Sequence, residues 1–295
     1  SKHSPKRGVH QMKLLILGGN GMAGHVLVKY FQNQNGYNVF YTTRDSANKG
    51  GLLLDVKDGF MVEQLVRSVQ PDVIINAVGV LNQHAGKELI AAYQINGLLP
   101  HLLRQTADSI GARLIHISTD CVFEGKRVPG LYEETDQPDG TSAYAITKIL
   151  GEVKAPRHLT IRTSIIGPEI RSGGIGLLHW FLQQSGDVDG YRRVFWNGVT
   201  TLELAKAIQV LMNEPLDGLI HLVHPEPISK HDLLLLFKDI WKREDIRIVP
   251  KDEPVQDRTL RSTRADLLYD VPHYSIMLKE LLEWTEAQRN NVGLS

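Results

Sequence analysis

A single cysteine, Cys121, in 295 residues rules out an intramolecular disulfide and fits a reducing compartment, the cytoplasm being the simplest. Neither sign of charge is in excess. The 33 Lys and Arg balance 33 Asp and Glu, so bulk electrostatics gives no reason to expect nucleic acid or an anionic membrane as partner. An anionic ligand would have to be met by local cations. No apolar run approaches the roughly twenty residues of a membrane-spanning helix, and no apolar segment near the start resembles a signal peptide. Residues 1–11 are polar and basic without periodicity, and read as a disordered arm or an expression remnant ahead of Met12. The twelve histidines show no ligand-like clustering with cysteine or carboxylates, so no metal site is expected. Internal repeats and separating linkers are lacking too, and a chain with 42% hydrophobic and 22% charged residues reads as globular, with a substantial core.

What is present is an alternation of strands and helices. Lys13–Leu17 reads as a strand, Gly18-Gly19-Asn20-Gly21-Met22-Ala23-Gly24 as a turn, and His25–Gln32 as a helix. Glycines at 18, 21 and 24 permit a tight turn, a pyrophosphate against the backbone and close helix–strand packing, so Gly18, Asn20, Gly21 and Met22 are candidate dinucleotide contacts. The next strand, Asn38–Thr42, runs into Thr43-Arg44-Asp45. Arg44 there favours a 2′-phosphate and hence NADPH, with NADH the alternative through Asp45. Asp55, after Leu52–Leu54, is placed for an adenine amino group or for a plain loop cap, with Val56 beside it. A helix over Phe60–Val69 leads to strand Val73–Gly79, apolar as a strand covered on both faces should be. Asn76, Ala77 and Val78 then fall at the carboxyl edge, where open α/β sheets hold ligands. The pattern predicts an α/β fold, a Rossmann-type doubly wound parallel sheet.

A long helix over Glu88–Ile110 precedes strand Ala112–Ile117, which delivers Ser118-Thr119-Asp120 to the same edge. After a Gly- and Pro-containing loop, Glu124–Gly140, come Tyr144 and Lys148, whose spacing puts a phenol and an ammonium on one helix face. A cation there favours phenolate, so a group of ordinary pKa about 10 could act as an acid–base catalyst nearer neutrality. Thr119 could hydrogen-bond the same carbonyl oxygen. Strand Leu159–Arg162 follows, and beyond Gly167 the alternation weakens: Gly173-Gly174, a helix ending the stretch Ile175–Gln184, and a short strand over Tyr191–Trp196. Then come helix Leu202–Met212 capped by Thr200 or Thr201, strand Leu219–Val223, helix Lys230–Trp241, strand Ile246–Val249 and a terminal helix around Ser275–Ala287. We expect a nucleotide-binding domain over 12–166, rejoined around 191–223, and a smaller C-terminal α/β substrate-binding lobe within 167–295.

With the glycine turn, Asn76-Ala77, Ser118-Thr119-Asp120, Tyr144/Lys148 and Ile161-Arg162-Thr163-Ser164 in this order, the chain resembles the extended short-chain dehydrogenase/reductases, most of all their dTDP-4-dehydrorhamnose reductase branch. The resemblance spans nearly all of residues 12–290. It implies NAD(P)H-dependent reduction of a 4-keto group on a nucleotide-linked deoxysugar. Tyr144 would be the proton donor, Lys148 would bind the nicotinamide ribose and lower the tyrosine pKa, and Thr119 would orient the carbonyl oxygen. The C-terminal lobe would hold the nucleotide diphosphate. Expected substrate contacts are Ser118, Asp120, Val122, Trp196 and Arg258, with Arg261 and Arg192 or Arg193 as further cations. A homodimer is compatible with such a fold. Departures from the family pattern at Cys121, usually Tyr, at Ile165-Ile166, usually beginning with an aromatic, and along Val80–Ala91 leave the sugar open. Two other readings stay open: a sugar-nucleotide epimerase of the same superfamily, and a non-catalytic NADP-binding regulatory subunit such as the beta subunit of methionine adenosyltransferase.

Overall fold

The structure, a computed structural model, describes residues 11–170 and 176–293. The expected arm up to residue 10 and the Gly173-Gly174 stretch lie outside the described residues. Apolar runs with alternating sides build the central sheet: β1 (Met12–Leu17), α1 (Met22–Gln32), β2 (Tyr37–Thr43), β3 (Leu52–Leu53), α2 (Gly59–Val69) and β4 (Val73–Asn76) follow in order. Next come α3 (Asn82–Ala85), α4 (Leu89–Ala92), α5 (Leu99–Ile110), β5 (Arg113–Thr119), α6 (Ala143–Leu150) and β6 (Leu159–Thr163). These six strands pair in parallel in the order β3-β2-β1-β4-β5-β6, and a seventh from the C-terminal half, Gly218–His221, adds beside β6. Leu14, Ile16, Ile75 and Ile115 point to one face, against Leu27 and Phe31 of α1. Leu15, Leu17, Ile74 and Leu114 point to the other, against Val62 and Val66 of α2 and Leu103 of α5. A strand covered on both faces must be apolar throughout, and the four residues of β4 are all buried.

The chain leaves β1 towards β2 on one side and reaches β4 on the other. The sheet therefore has its switch point between β1 and β4, and the crevice outside their carboxyl ends is the ligand position of such folds.

The C-terminal half continues with β7 (Ile165–Ile166), α7 (Leu177–Leu182), β8 (Gly186–Tyr191), β9 (Val194–Trp196), β10 (Val199–Thr200) and α8 (Thr201–Leu211). The returning strand β11 (Gly218–His221) follows, then β12 (Ile228–Ser229), α9 (Lys230–Ile240), β13 (Ile246–Lys251), β14 (Gln256–Asp257) and α10 (Tyr274–Gly293). Leu204 and Ile208 of α8 pack into the sheet core beside α1. Phe181, Val188, Leu233, Phe237, Ile246 and Leu281 form a second core, and α10 contributes to both.

Two expected elements differ. The single strand over Tyr191–Trp196 is instead two strands: β8 runs parallel to β13, while β9 pairs with β12 and β14. Arg192, in the turn between them, makes a two-pronged pair with Asp252. The long helix over Glu88–Ile110 is not regular, because Tyr93–Leu98 is a π-helical segment between α4 and α5. Pro100 has no N–H to give to the Asn96 carbonyl, and the backbone of Gly151 packs so closely there that a Cβ on it would come within 1.8 Å of that oxygen.

Candidate active site

The glycine turn is shaped by three distinct constraints. Gly18 has φ +86°, where side chains are strained, and its N–H donates to Thr42 Oγ1 at 3.2 Å. A Cβ on Gly24 would lie 1.8 Å from the Gly18 carbonyl oxygen, so only glycine lets α1 sit on the turn. Gly21 is the N-cap of α1 and offers no side-chain cap, leaving the first N–H groups of the helix for a ligand. Gly19, missed as a constraint in the sequence, faces the Tyr41 ring, which a Cβ would meet at 2.4 Å. Asn20 fastens the turn to its neighbours, donating to Thr43 Oγ1 at 2.7 Å and accepting from Asn48 at 3.1 Å.

At the end of β2, Arg44 is exposed and makes no ion pair among the described residues. Asp45 turns inward on its own loop, accepting the Ala47 N–H at 2.9 Å. Asp55 does the same with the Lys57 N–H at 3.0 Å, the loop cap that competed with the adenine role, while the Val56 side chain is buried in the core. After β4, the fully buried Asn76 is bound to His116 at 3.1 Å and to the Val78 N–H, and Ala77 donates to Leu17. Asn76 therefore shapes the edge, and Ala77 and Val78 line up beside the glycine turn. Asn96, which drew no notice in the sequence, grips both the N–H and the carbonyl of Val80 and so fixes the loop beyond.

Ser142 caps α6 by accepting the Ala145 N–H, which sets the helix carrying Tyr144 and Lys148 at the end of β5. The Tyr144 phenol lies near the Thr119 hydroxyl, which itself donates to Asp120 at 3.3 Å and accepts the Cys121 N–H at 3.1 Å. Burial pushes the phenol pKa up, nearby Cys121 adds to this, and the Thr119 hydroxyl pulls partly back. This corrects the expectation of a tyrosine lowered by Lys148. The Lys148 ammonium donates to the Ile117 carbonyl at 3.1 Å and is not among the groups acting on the phenol. Burial brings Lys148 down to about 8, with Glu152 pulling it back up. At neutral pH the site therefore holds a protonated phenol beside a mostly charged ammonium.

The five expected substrate contacts part ways. Asp120, half-buried, is raised to about 6 by burial and held down by nearby Arg258. Arg258 is aimed by its own bonds to the Phe123 carbonyl at 2.9 Å and to Gln256. Ser118 points the other way, into the protein, donating to Glu152 at 2.7 Å, and Val122 is wholly buried with Phe123, Tyr132 and Leu260. Strand alternation explains Ser118, since a residue next to Thr119 faces the opposite side of the sheet. Trp196 is half-buried, its indole N–H bound to Ser164 at 2.8 Å. Of the further cations, Arg192 is occupied by Asp252 and Arg261 by Glu133. Cys121 is half-buried, its thiol pushed up to about 12 by burial and by Asp120.

The long loop before α6 is firmly held. Tyr132 stacks on Phe123 with ring centroids 4.1 Å apart, Arg127 covers its outer face at 4.2 Å, and its backbone pairs with Thr259 and Arg261. The loop and the segment bearing Arg258 thus form one wall. In the C-terminal lobe a cleft of about 530 Å³ is lined by Trp180, Gln184, Tyr191 and Lys230, with the lysine ammonium over the Tyr191 ring. Among the described residues there is no group of three or more His, Cys, Asp or Glu placed to hold a metal ion, and no helix long and apolar enough to cross a membrane.

Residues 12–287 match the family model described as RmlD substrate binding domain. The dTDP-4-dehydrorhamnose reductase of Salmonella typhimurium is 30% identical over 198 residues, 63% of this chain and 66% of that protein. The methionine adenosyltransferase 2 subunit beta of Danio rerio is 25% identical over 259 residues, 82% of this chain and 77% of that protein. In fold, the chain is similar to dTDP-4-dehydrorhamnose reductase from Bacillus anthracis in complex with NADP, with a TM-score of 0.79 at 20% identity, covering 92% of this chain and 99% of that one. The glycine turn, the seven parallel strands and the match over residues 12–287 agree: the chain belongs to the RmlD substrate binding domain family, the dTDP-4-dehydrorhamnose reductase-like branch of the extended short-chain dehydrogenase/reductases.

Proposed function

We propose that this protein reduces the 4-keto group of a nucleotide-diphosphate-linked 6-deoxysugar with NADPH. The observation that carries the reading is that the Thr119 hydroxyl, at the carboxyl end of β5, lies near the Tyr144 phenol on α6, with Lys148 one helical turn along. The cofactor, when bound, supplies a hydride to the carbonyl carbon. As negative charge grows on the sugar oxygen, Tyr144 transfers its proton there and Thr119 hydrogen-bonds the same atom. A phenol held protonated by burial suits this direction, because the reduction consumes a proton. The phenolate left behind regains its proton from solvent, while Lys148, turned to the Ile117 carbonyl, is assigned to the nicotinamide ribose, as the family resemblance implies.

Cofactor placement follows from the crevice. The uncapped N-terminus of α1 would hold the pyrophosphate, and Arg44 the 2′-phosphate, its competitor Asp45 being turned into its own loop. These features support NADPH over NADH. The Salmonella relative, named a reductase of this kind, supports the substrate class. Arg258 is the cation offered to the diphosphate, and the cleft at Trp180, Tyr191 and Lys230 suits a planar base.

The test is a panel of 4-keto sugar nucleotides with NADPH and NADH, followed by product analysis, on the parent and on Tyr144→Phe. We expect stoichiometric NADPH consumption, lost by roughly 100- to 10,000-fold in the variant with cofactor affinity preserved. Product without net NADPH loss would indicate an epimerase. One observation favours a second reading: the methionine adenosyltransferase subunit relative spans more of the chain than the reductase does. A parent that turns over no 4-keto sugar nucleotide and co-purifies with a methionine adenosyltransferase would establish that role instead.

A further inference from the structure

Ser118, Arg162 and His221 lie side by side on β5, β6 and β11. All three are buried, Arg162 completely. A guanidinium out of water needs hydrogen-bond partners, and this one has at least one for each of its three nitrogens. Its Nε and Nη2 donate to the two oxygens of Glu152, both at 2.7 Å. Its Nη1 donates to Nε2 of His221 at 3.2 Å, and that ring passes the chain on, Nδ1 donating to the Arg261 carbonyl at 3.0 Å. Ser118 adds a third bond to the carboxylate, 2.7 Å from Glu152 Oε2, and the Phe123 ring covers the guanidinium at 5.3 Å.

Glu152 follows the end of α6 by two residues. One carboxylate thus joins three parts of the site: the tail of the helix bearing Tyr144 and Lys148, the strand residue before Thr119, and, through Arg162 and His221, the wall that carries Arg258. Stability alone is a poor reason to keep such a pair, since buried ion pairs replaced by apolar residues of similar volume often leave a protein as stable or more so.

We propose that Glu152, balanced by Arg162, is a positioning residue of this site: it sets Tyr144 and Lys148 against Thr119 and the Arg258 wall. The mechanistic part rests on the reductase reading; the geometric part does not. Burial draws Lys148 down to about 8, and Glu152 is the foremost group raising it, followed by Cys121. The remaining titratable neighbours are Tyr144 on the same helix, held as the neutral phenol, and His116 on β5, held neutral by burial.

The experiment uses the full chain with Glu152→Leu and Arg162→Met combined, because Glu152→Gln alone leaves a buried guanidinium half-paired and confounds folding. Three quantities are measured: the melting temperature, NADPH affinity with turnover, and the titration of Lys148 by NMR of lysine carbon-13 labelled at Cε, assigned with Lys148→Arg. We expect a melting temperature within a few degrees of the parent, a protein that still binds NADPH, turnover down about ten- to hundred-fold, and a Lys148 midpoint moved to lower pH. An unchanged Lys148 midpoint, or parental turnover, overturns the proposal. A shifted midpoint in a protein whose parent turns over no 4-keto sugar nucleotide supports Glu152 as the holder of Lys148 and overturns the reductase reading instead. If the double variant does not fold, Ser118→Ala decides. It removes only the strand-to-carboxylate bond, so a several-fold loss of turnover in a protein that melts like the parent supports the proposal and parental turnover overturns it.

Discussion

Gly24→Ala and Gly21→Ala separate two uses of glycine in one turn. A Cβ on Gly24 would sit 1.8 Å from the Gly18 carbonyl oxygen and 2.6 Å from its carbon. Ordinary carbon contacts lie at about 3.5 Å, so α1 and the turn would have to part by about 1.7 Å. Both are fixed: Leu17 ends a buried strand, and Ala23, Val26 and Leu27 anchor α1 in the core. Overpacking of this kind costs about 1–3 kcal/mol, and backbone partners that cannot rotate away place it at the upper end. The helix propensity that alanine gains, up to about 1 kcal/mol, opposes this without cancelling it. On Gly21 the same Cβ meets Gly18 oxygen at 3.4 Å, an ordinary contact, and φ is −74°, open to any residue. We therefore expect Gly24→Ala to lower the melting temperature by several degrees, at about 2–4 °C per kcal/mol, and to weaken NADPH binding as well. Gly21→Ala should melt like the parent and lose NADPH affinity only, because its methyl group stands at the helix N-terminus where the pyrophosphate approaches. Thermal melting monitored by fluorescence and NADPH titration read both quantities. Equal destabilisation by the two changes, or a Gly24→Ala protein with parental melting and affinity, would refute the reasoning.

Three further outcomes follow from particular side chains. Arg44→Ser should reduce NADPH affinity about ten- to hundred-fold, the worth of one or two charge-assisted bonds, while leaving NADH affinity unchanged by calorimetry; equal losses for both would take Arg44 away from the 2′-phosphate. Arg113 donates to the carbonyls of Leu211, Met212, Glu214 and Leu216 at the end of α8 and to that of Arg157. Arg113→Ala should cost about 3 kcal/mol in urea unfolding, with Arg113→Lys recovering only part of it, since an ammonium cannot fork to several acceptors. His116 and His221 are kept neutral by burial, His221 down to about 4, whereas the unfolded chain takes up these protons near pH 6.5. Each therefore contributes stability that is complete above pH 6.5 and declines below it by about 1.4 kcal/mol per pH unit, His221 until about pH 4. Urea midpoints that stay level from pH 7 to pH 5 would exclude this.

The buried positions of β1, β4 and β5 are legible because a parallel strand covered on both faces has to be apolar, and few sequences satisfy that by accident. The π-helical segment is less so: Pro100 inside a helical pattern is its one local signal, and the close approach of Gly151 to Asn96 is visible only in three dimensions. In the same way the split of Tyr191–Trp196 depends on which distant strands, β13 or β12 and β14, claim each half.

The order of strands and helices, the glycine turn, and the spacing that puts Tyr144 and Lys148 on one helix face can be read from the chain alone, because these depend on local geometry and a period of two or 3.6 residues. Electrostatics cannot. Whether Tyr144 is lowered by Lys148 or raised by burial depends on where the ammonium points, and the structure turns it to Ile117. Nor could spacing show that Ser118 and Arg162, far apart in the chain, share the carboxylate of Glu152. That contact exists only because β5 pairs with β6 and the chain leaving α6 brings Glu152 against both strands.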